Sequence, residues 1–468
     1  MNSTICAIST HLGPGGIGVI RLSGQDAVGI LQAVFLPCQR SQASSRNKGW
    51  PQSHRVYYGH LADPRSGQII DEVLTFYMKA PNSFTREDVV EIQSHSGIIV
   101  LDRILSLLID CGASLAAAGE FTKRAFLNGR IDLSQAESII DLINAPGEAA
   151  AGIASRQMTG ALKNEVEELC KRIIKLRARC EALIEFGEEE IGIAEHAVSG
   201  INSELRQTIL EDLKRLIQKQ KDGAVYNEGI HVAISGCPNV GKSSLLNRIA
   251  QRETAIVSDL PGTTRDIVKD KISIDGVPVV LCDTAGIHDT KDPIECIGIE
   301  RAREQIASAD LTLMVMDASK QPNAFEIQWL RERPAKATIV VINKNDQADE
   351  GSIEAIRKEI HEGSHIRVSA KFGDGIDNLK KMILKEFLTG RDAKPPMGAT
   401  PNLRQRKLLE KVKAEIEAFT CCGPLKEENL EELSGMMNNA IGLLDEITGK
   451  KHQADLYDQI FNQFCIGK

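Results

Sequence analysis

Gly236-Cys237-Pro238-Asn239-Val240-Gly241-Lys242-Ser243 fits G-x-x-x-x-G-K-[ST], the spacing of a phosphate-binding loop. A β-branched run, residues 230–234, precedes it, and a helical run, residues 244–249, follows. Strand, loop and helix in that order are the setting the loop requires. Its glycines let backbone N–H groups turn toward phosphate oxygens with no side chain in the way. The helix start adds partial positive charge. Lys242 can reach the β- and γ-phosphates and the Ser243 hydroxyl can ligate Mg2+, with Asn239, Val240, Gly241 and Ser244 completing the cradle.

Companions follow in order along the chain. Asp283-Thr284-Ala285-Gly286 ends the apolar run 277–282, with an Asp that can hold Mg2+ through water and a Gly N–H for the γ-phosphate. Asn343-Lys344-Asn345-Asp346 ends the run 337–342. A carboxylate at Asp346 can accept from both guanine N1–H and the 2-amino group, a pair adenine lacks, so the substrate is GTP. Ser369-Ala370-Lys371 can close over the base. Each motif sits at a strand's carboxyl end, where a doubly wound sheet binds its ligand. Asp275-Gly276 marks a hairpin, hence one antiparallel strand. Gly262-Thr263-Thr264-Arg265-Asp266 is a switch region, with Thr264 the second hydroxyl for Mg2+. Ile287 follows Gly286 where Ras-like enzymes carry the water-orienting Gln, so another group must position the water. No arginine finger is evident, Arg265 being the one candidate. Asn239, with switch-loop carbonyls, could hold a monovalent cation where a finger would sit.

Around this domain the chain changes character. Its 468 residues predict about three domains. The net charge of -8 confines any RNA contact to a local patch. Eleven cysteines with no C-x-x-C pair argue against a zinc ribbon or disulfide framework and fit a reducing, cytoplasmic setting. Residues 1–16 do not read as a signal peptide, and no apolar run nears the roughly 20 residues of a membrane helix. Residues 1–125 form a mixed α/β domain, with strands at Cys6–Ile8, Val19–Leu22, Tyr57–Leu61 and Val73–Tyr77 and a helix at Ile98–Leu108. Gly13-Pro14-Gly15-Gly16-Ile17-Gly18 matches G-x-G-x-x-G but runs into a β-branched stretch, so it reads as a turn and not a dinucleotide site. Residues 40–55 read as a mobile loop. By residue type alone, Arg21, Glu91 and Arg130 are surface charges or salt-bridge members, Cys465 is a buried thiol and Lys468 a frayed tail.

Residues 126–222 are helical, with a heptad stripe from Leu162 to Leu183. Helical periodicity returns after residue 400, beyond a Lys394-Pro395-Pro396 linker. Two arrangements stand: two separate bundles, or the favoured one, a single helical domain of segments 126–222 and 389–468 with the nucleotide domain, 223–388, inserted.

The chain resembles the tRNA-modification GTPase family MnmE, also called TrmE, nearly end to end. The marks are the loop at 236–244, residues 256–266, Pro81-Asn82-Ser83-Phe84-Thr85, residues 119–129, and the final Phe464-Cys465-Ile466-Gly467-Lys468. The resemblance implies an N-terminal α+β folate-binding domain, a discontinuous helical domain and an inserted Ras-like P-loop GTPase domain. It implies a cytoplasmic homodimer acting with the FAD-dependent partner MnmG (GidA) in a heterotetramer. Together they would add a carboxymethylaminomethyl or aminomethyl group to carbon 5 of the wobble uridine of tRNA. The one-carbon donor would be a tetrahydrofolate derivative, 5-formyl- or methylene-tetrahydrofolate, with Arg21, Glu91, Arg130 and Lys468 at the folate-contacting positions. Arg130 stands where some members have Lys. The resemblance implies K+-activated hydrolysis, with Asn239, Thr263 and the carbonyls of Ser258 and Leu260 as the potassium site. Glu295 matches the acidic residue that orients the attacking water, and Cys465 is tied to the modification reaction. One departure is Ser96, where the family usually has a second Gly after His95. The alternative function is a ribosome-assembly GTPase switch. Such proteins usually append an RNA-binding module, and the C-terminal segment here shows no basic stripe.

Overall fold

A computed structural model of the chain describes residues 3–13, 15–38, 50–186, 191–250, 269–283, 309–332, 338–360, 364–388, 396–421, 429–451 and 454–468. The chain divides into two compact units, Met1–Ile140 with Gln157–Asn202 and Ala418–Lys468, and Asp141–Arg156 with Ser203–Glu417.

The first unit holds a seven-stranded sheet: β1 Ile5–Ile8, β2 Gly18–Ser23, β3 Phe35–Pro37, β4 Val56–Ala62, β5 Ile69–Met78, β6 Val89–Ser94 and β7 Ser114–Leu115. The spatial order is β3-β4-β5-β6-β2-β1-β7, antiparallel except for the β1–β7 pair. Alternation puts Ile20, Leu22, Val90 and Ile92 in the core, against the helices Ala27–Val34 and Ile98–Asp110. Leu101, Ile104, Leu107 and Leu108 form the buried face of the second helix, the three- and four-residue spacing seen in the sequence. The glycine-rich stretch before Val19 opens β2, not a helix, as the turn reading requires. Gly18 is needed there because a Cβ would lie 2.6 Å from Leu101 Cδ2. The buried Ser96 hydroxyl donates to the Gly15 carbonyl. The departure from glycine at 96 therefore adds a latch on this turn.

Two segments far apart in sequence also join the first unit. The helix Ala161–Phe186, which carries the heptad stripe, packs on Leu430–Thr448. Leu162, Val166, Leu169, Ile173 and Leu176 are all buried. Polar contacts fix the register: Cys180 Sγ donates to the Leu430 carbonyl at 3.2 Å, and Arg177 Nη1 to Asn438 Oδ1 at 2.7 Å. The short helix Ala454–Phe461 seals the end, where Phe126, Tyr457, Phe461 and Phe464 cluster.

The second unit is built on a six-stranded sheet: β8 Ile230–Ser235, β9 Lys269–Ile274, β10 Val277–Asp283, β11 Leu311–Asp317, β12 Thr338–Asn343 and β13 Ser364–Arg367. Its order is β13-β12-β11-β8-β10-β9, parallel throughout except β9–β10. Every residue of β11 is buried, as expected for a strand covered on both faces. Asp275 and Gly276 both take positive φ, 49° and 80°, the backbone of a two-residue hairpin matched to strand twist. Helices Leu210–Glu228 and Leu403–Cys421 meet in this unit, where Arg406 Nη1 donates to Gln220 Oε1 at 2.9 Å. Among the described residues no helix is long and apolar enough to cross a membrane.

Candidate functional site

The phosphate-binding loop leaves β8 at Ser235 and enters the helix Lys242–Ala250. Three of its residues hold positive φ: Gly236 at 148°, Asn239 at 62° and Gly241 at 97°. A Cβ at Gly236 would strike the Val315 carbonyl, and one at Gly241 would strike Asn343 Nδ2. Both glycines are therefore fixed by close approach as well as by conformation. Lys242 Nζ donates to the carbonyls of Gly236 at 2.8 Å and Cys237 at 2.9 Å, so its charge is held within the loop. Ser243 and Ser244 are exposed at the start of the helix, where backbone N–H groups have no partner within the helix. Asp283 ends β10 with its Cα opposite Ile234 of β8, two residues before the loop begins.

The base side is fastened to the phosphate side. Asn343 Nδ2 donates to the Val240 carbonyl at 2.8 Å, and Asn343 Oδ1 accepts from Ala370 N–H at 3.0 Å. One amide thus links both loops. Lys344, in a left-handed conformation, donates to the Asn239 carbonyl at 2.7 Å and to Asp317 Oδ2 at 2.6 Å. Burial would raise the Asp317 carboxyl. Hydrogen bonds from Lys344 and from the Ser319 hydroxyl and N–H outweigh it and lower its pKa. Asp346 is exposed, and its Oδ1 accepts from Ser369 Oγ at 2.7 Å. A carboxylate oxygen carries two lone pairs, so Oδ2 and the second lone pair of Oδ1 are left for a base. Ser258, Leu260, Thr263, Thr264, Arg265, Thr284, Ala285, Gly286, Ile287 and Glu295 lie outside the described residues.

Two further groups at this site, Asp317 and Arg248, belong to no contiguous motif. Asp317 had a signal: it is a carboxylate closing an otherwise apolar parallel strand. Arg248 had none. It lies inside the helix after the loop and donates from Nε to the Ala370 carbonyl at 3.0 Å and from Nη2 to the Lys371 carbonyl.

The first unit gathers a second cluster. Arg21 and Glu91 face each other across β2 and β6, with Nε and Nη2 of Arg21 at 2.8 and 2.7 Å from Glu91 Oε1. The Arg21 guanidinium lies 5.8 Å from the Phe84 ring centre and 5.7 Å from that of Phe121, and Arg130 lies 4.9 Å from Phe84. Phe84 and Phe121 come from the two stretches 81–85 and 119–129, here brought together. The C-terminal segment is not frayed. Phe464 is buried, Ile466 bridges Ala118, and Ser9 Oγ donates to the Gly467 carbonyl at 3.1 Å. Gly467 holds φ at 93°, and a Cβ there would strike the Ile8 carbonyl. Lys468 is thus delivered to the end of β1, beside the strand that carries Arg21. Cys465 is exposed, contrary to the expectation of a buried thiol, because Phe464 takes the inward position beside it.

Comparison with known proteins bears on both units. The profile described as "GTP-binding protein TrmE N-terminus" matches residues 4–130, and that described as "MnmE helical domain" matches residues 133–465. The chain belongs to the MnmE family of tRNA modification GTPases. It is 39% identical to the tRNA modification GTPase MnmE of Clostridioides difficile (strain 630), covering 100% of both chains. It is 38% identical to that of Lactobacillus acidophilus, covering 99% of this chain and 98% of the relative. Among solved structures, Aquifex aeolicus Era bound to GDP.AlF4- is 30% identical over 40% of this chain and 66% of its own (TM-score 0.30). The G domain of the T. maritima FeoB iron transporter is 26% identical over 34% of this chain and 98% of its own (TM-score 0.27). This MnmE-family chain is a multidomain α/β and helical GTP hydrolase of tRNA modification.

Proposed function

We propose that this chain hydrolyses GTP with K+ as activator and couples turnover to addition of an aminomethyl-type group at carbon 5 of the wobble uridine of tRNA. The observation that carries the nucleotide reading is the Asn343 amide, which ties the Val240 carbonyl of the phosphate loop to the Ala370 N–H of the base loop. Lys242 and the loop N–H groups would bind phosphates. Asp346 would accept from the guanine edge. Ser243 and Thr264 would ligate Mg2+. For K+ the fit is local: the Asn239 carbonyl is already bonded to Lys344, while the residue stays exposed, so its side-chain oxygen can turn to a cation. Thr263 and the carbonyls of Ser258 and Leu260 would complete that set. Bound K+ would supply the positive charge an arginine finger gives elsewhere. Glu295 would orient the attacking water through a bridging water.

GTP turnover is expected to rise by about tenfold or more when Na+ is replaced by K+: a preorganised positive group at the transition state is worth up to about 10^2–10^3, and a site selective for K+ forfeits part of that when only Na+ is offered. A colorimetric phosphate assay in the two salts reads this. Equal rates would remove the cation site. The same assay on Glu295→Ala should show lowered kcat with unchanged GTP affinity; parallel loss of both would reassign Glu295.

Arg21, Glu91, Arg130 and Lys468 would hold a tetrahydrofolate derivative, 5-formyl- or methylene-tetrahydrofolate. The Arg21–Glu91 pair, flanked by the Phe84 and Phe121 rings, offers a carboxylate acceptor for pterin N–H groups and flat apolar faces for the ring. Arg21→Ala should weaken 5-formyltetrahydrofolate binding by about tenfold, measured by calorimetry, and leave GTP hydrolysis unchanged. Unaltered folate affinity would refute the pocket. Cys465, exposed near the same end of β1, would serve the modification step. The rest of the reading is a cytoplasmic homodimer joined by an FAD-dependent MnmG partner, with domains at 1–125, 126–222, 223–388 and 389–468.

A further inference from the structure

We propose that Arg248 is the positioning residue for recognition of the guanine 6-oxo group, acting through the backbone of Ala370 and Lys371. The inference rests on the reading that Asp346 receives guanine. The Arg248 guanidinium lies on the helix that begins at Lys242 and donates to two successive carbonyls, Ala370 and Lys371. A trans peptide is planar, so each carbonyl fixes the opposite direction of the next N–H. Bonding the Lys371 carbonyl turns Phe372 N–H away from Arg248, and Phe372 N–H donates to Ser369 Oγ at 3.3 Å. Ser369 Oγ in turn donates to Asp346, so this direction is the base side. By the same geometry, bonding the Ala370 carbonyl turns Lys371 N–H toward the base.

The purine edge has one acceptor in reach of that donor, guanine O6. Adenine presents a 6-amino donor there instead, and donor would meet donor. Asp346 reads the N1–H and 2-amino group, and Arg248, through Lys371 N–H, reads O6. The rest of the loop is fixed independently of Arg248. Ser369 N–H donates to the Asp374 carbonyl at 3.0 Å, Gly373 N–H to the Ser369 carbonyl at 2.7 Å, and Ala370 N–H to Asn343. The Lys371–Phe372 plane also keeps its bond from Phe372 N–H to Ser369 Oγ, so loss of Arg248 frees the Ala370–Lys371 plane and leaves the fold of the loop in place.

The test is the affinity of the full-length protein for three triphosphates: GTP, ITP, which lacks the 2-amino group, and 2-aminopurine riboside triphosphate, which lacks O6 and with it the N1–H. The N1–H share of the preference for GTP over that analogue belongs to Asp346 and is common to wild type and variant, so a change in the ratio reports O6. In Arg248→Ala the preference for GTP over the 2-aminopurine analogue should fall by about tenfold. The preference for GTP over ITP should stay as in the wild type, which also shows the site folded. Arg248→Lys, with one compact donor group in place of a fork, should fall between. If both ratios hold in Arg248→Ala, or both fall together, Arg248 does not position the O6 donor. Absence of any GTP-over-ITP preference in the wild type would instead remove the guanine reading of Asp346 beneath the proposal.

Discussion

Asp346→Asn should exchange the substrate base, so that xanthosine triphosphate is hydrolysed and GTP is rejected. The carboxylate accepts from two guanine N–H donors at once, and an amide offers only one acceptor and sets its own NH2 against the second donor. Xanthine carries an oxygen at carbon 2, which that NH2 can satisfy. Ser369 Oγ, now donating to Asp346 Oδ1 at 2.7 Å, can keep its bond to an amide oxygen, so the loop does not need to rearrange. A site built around a hydrogen-bonded substrate group discriminates by about 10^4 against the analogue that leaves it unpaired. The ratio of kcat/KM for the two triphosphates should therefore invert. If the variant still prefers GTP, the base is read by something other than Asp346.

Lys242→Ala should lower GTP turnover by about 10^2–10^3, the loss seen when one preorganised donor is removed from a developing negative charge. The protein without nucleotide should be destabilised as well, because Lys242 Nζ ties the carbonyls of Gly236 and Cys237. Thermal melting with and without excess GTP separates the two effects. The wild type should gain stability with GTP as the logarithm of one plus the ratio of GTP concentration to Kd, and the variant should gain little. A variant with full turnover would exclude Lys242 from phosphate binding.

Much of this site could be read from residue order. The phosphate loop, Asn343-Lys344-Asn345-Asp346 and Ser369-Ala370-Lys371 are contiguous motifs whose chemistry is local, and each lies beside a strand that announces itself by an apolar run. The single antiparallel strand was legible because Asp275-Gly276 encodes its own turn. What stayed hidden depends on contacts across the fold. Arg248 is one charged residue on an amphipathic helix, indistinguishable in sequence from a solvated one until the carbonyls of Ala370 and Lys371 are placed beside it. Asp317 carried a signal that strand chemistry could have raised, but its partner Lys344 is 27 positions away. Phe84 and Phe121 lie in the separate stretches 81–85 and 119–129, and only folding puts both rings beside Arg21. The exposure of Cys465 is not legible from residue type, because it is decided by the neighbouring Phe464, which turns inward, and by Ile466 bridging to Ala118.

The anchorage of residues 464–468 on the first strand has a consequence for how the polypeptide is made. Strand β1 leaves the ribosome early, but Ser9 and Ile8 meet Gly467 only after the entire nucleotide unit has been translated. The same holds for the helix Ala161–Phe186, which waits for Leu430–Thr448. The earliest-synthesised unit is thus the last to close, and the GTPase can be complete while its neighbour in sequence still presents open apolar surface to the nascent-chain chaperones.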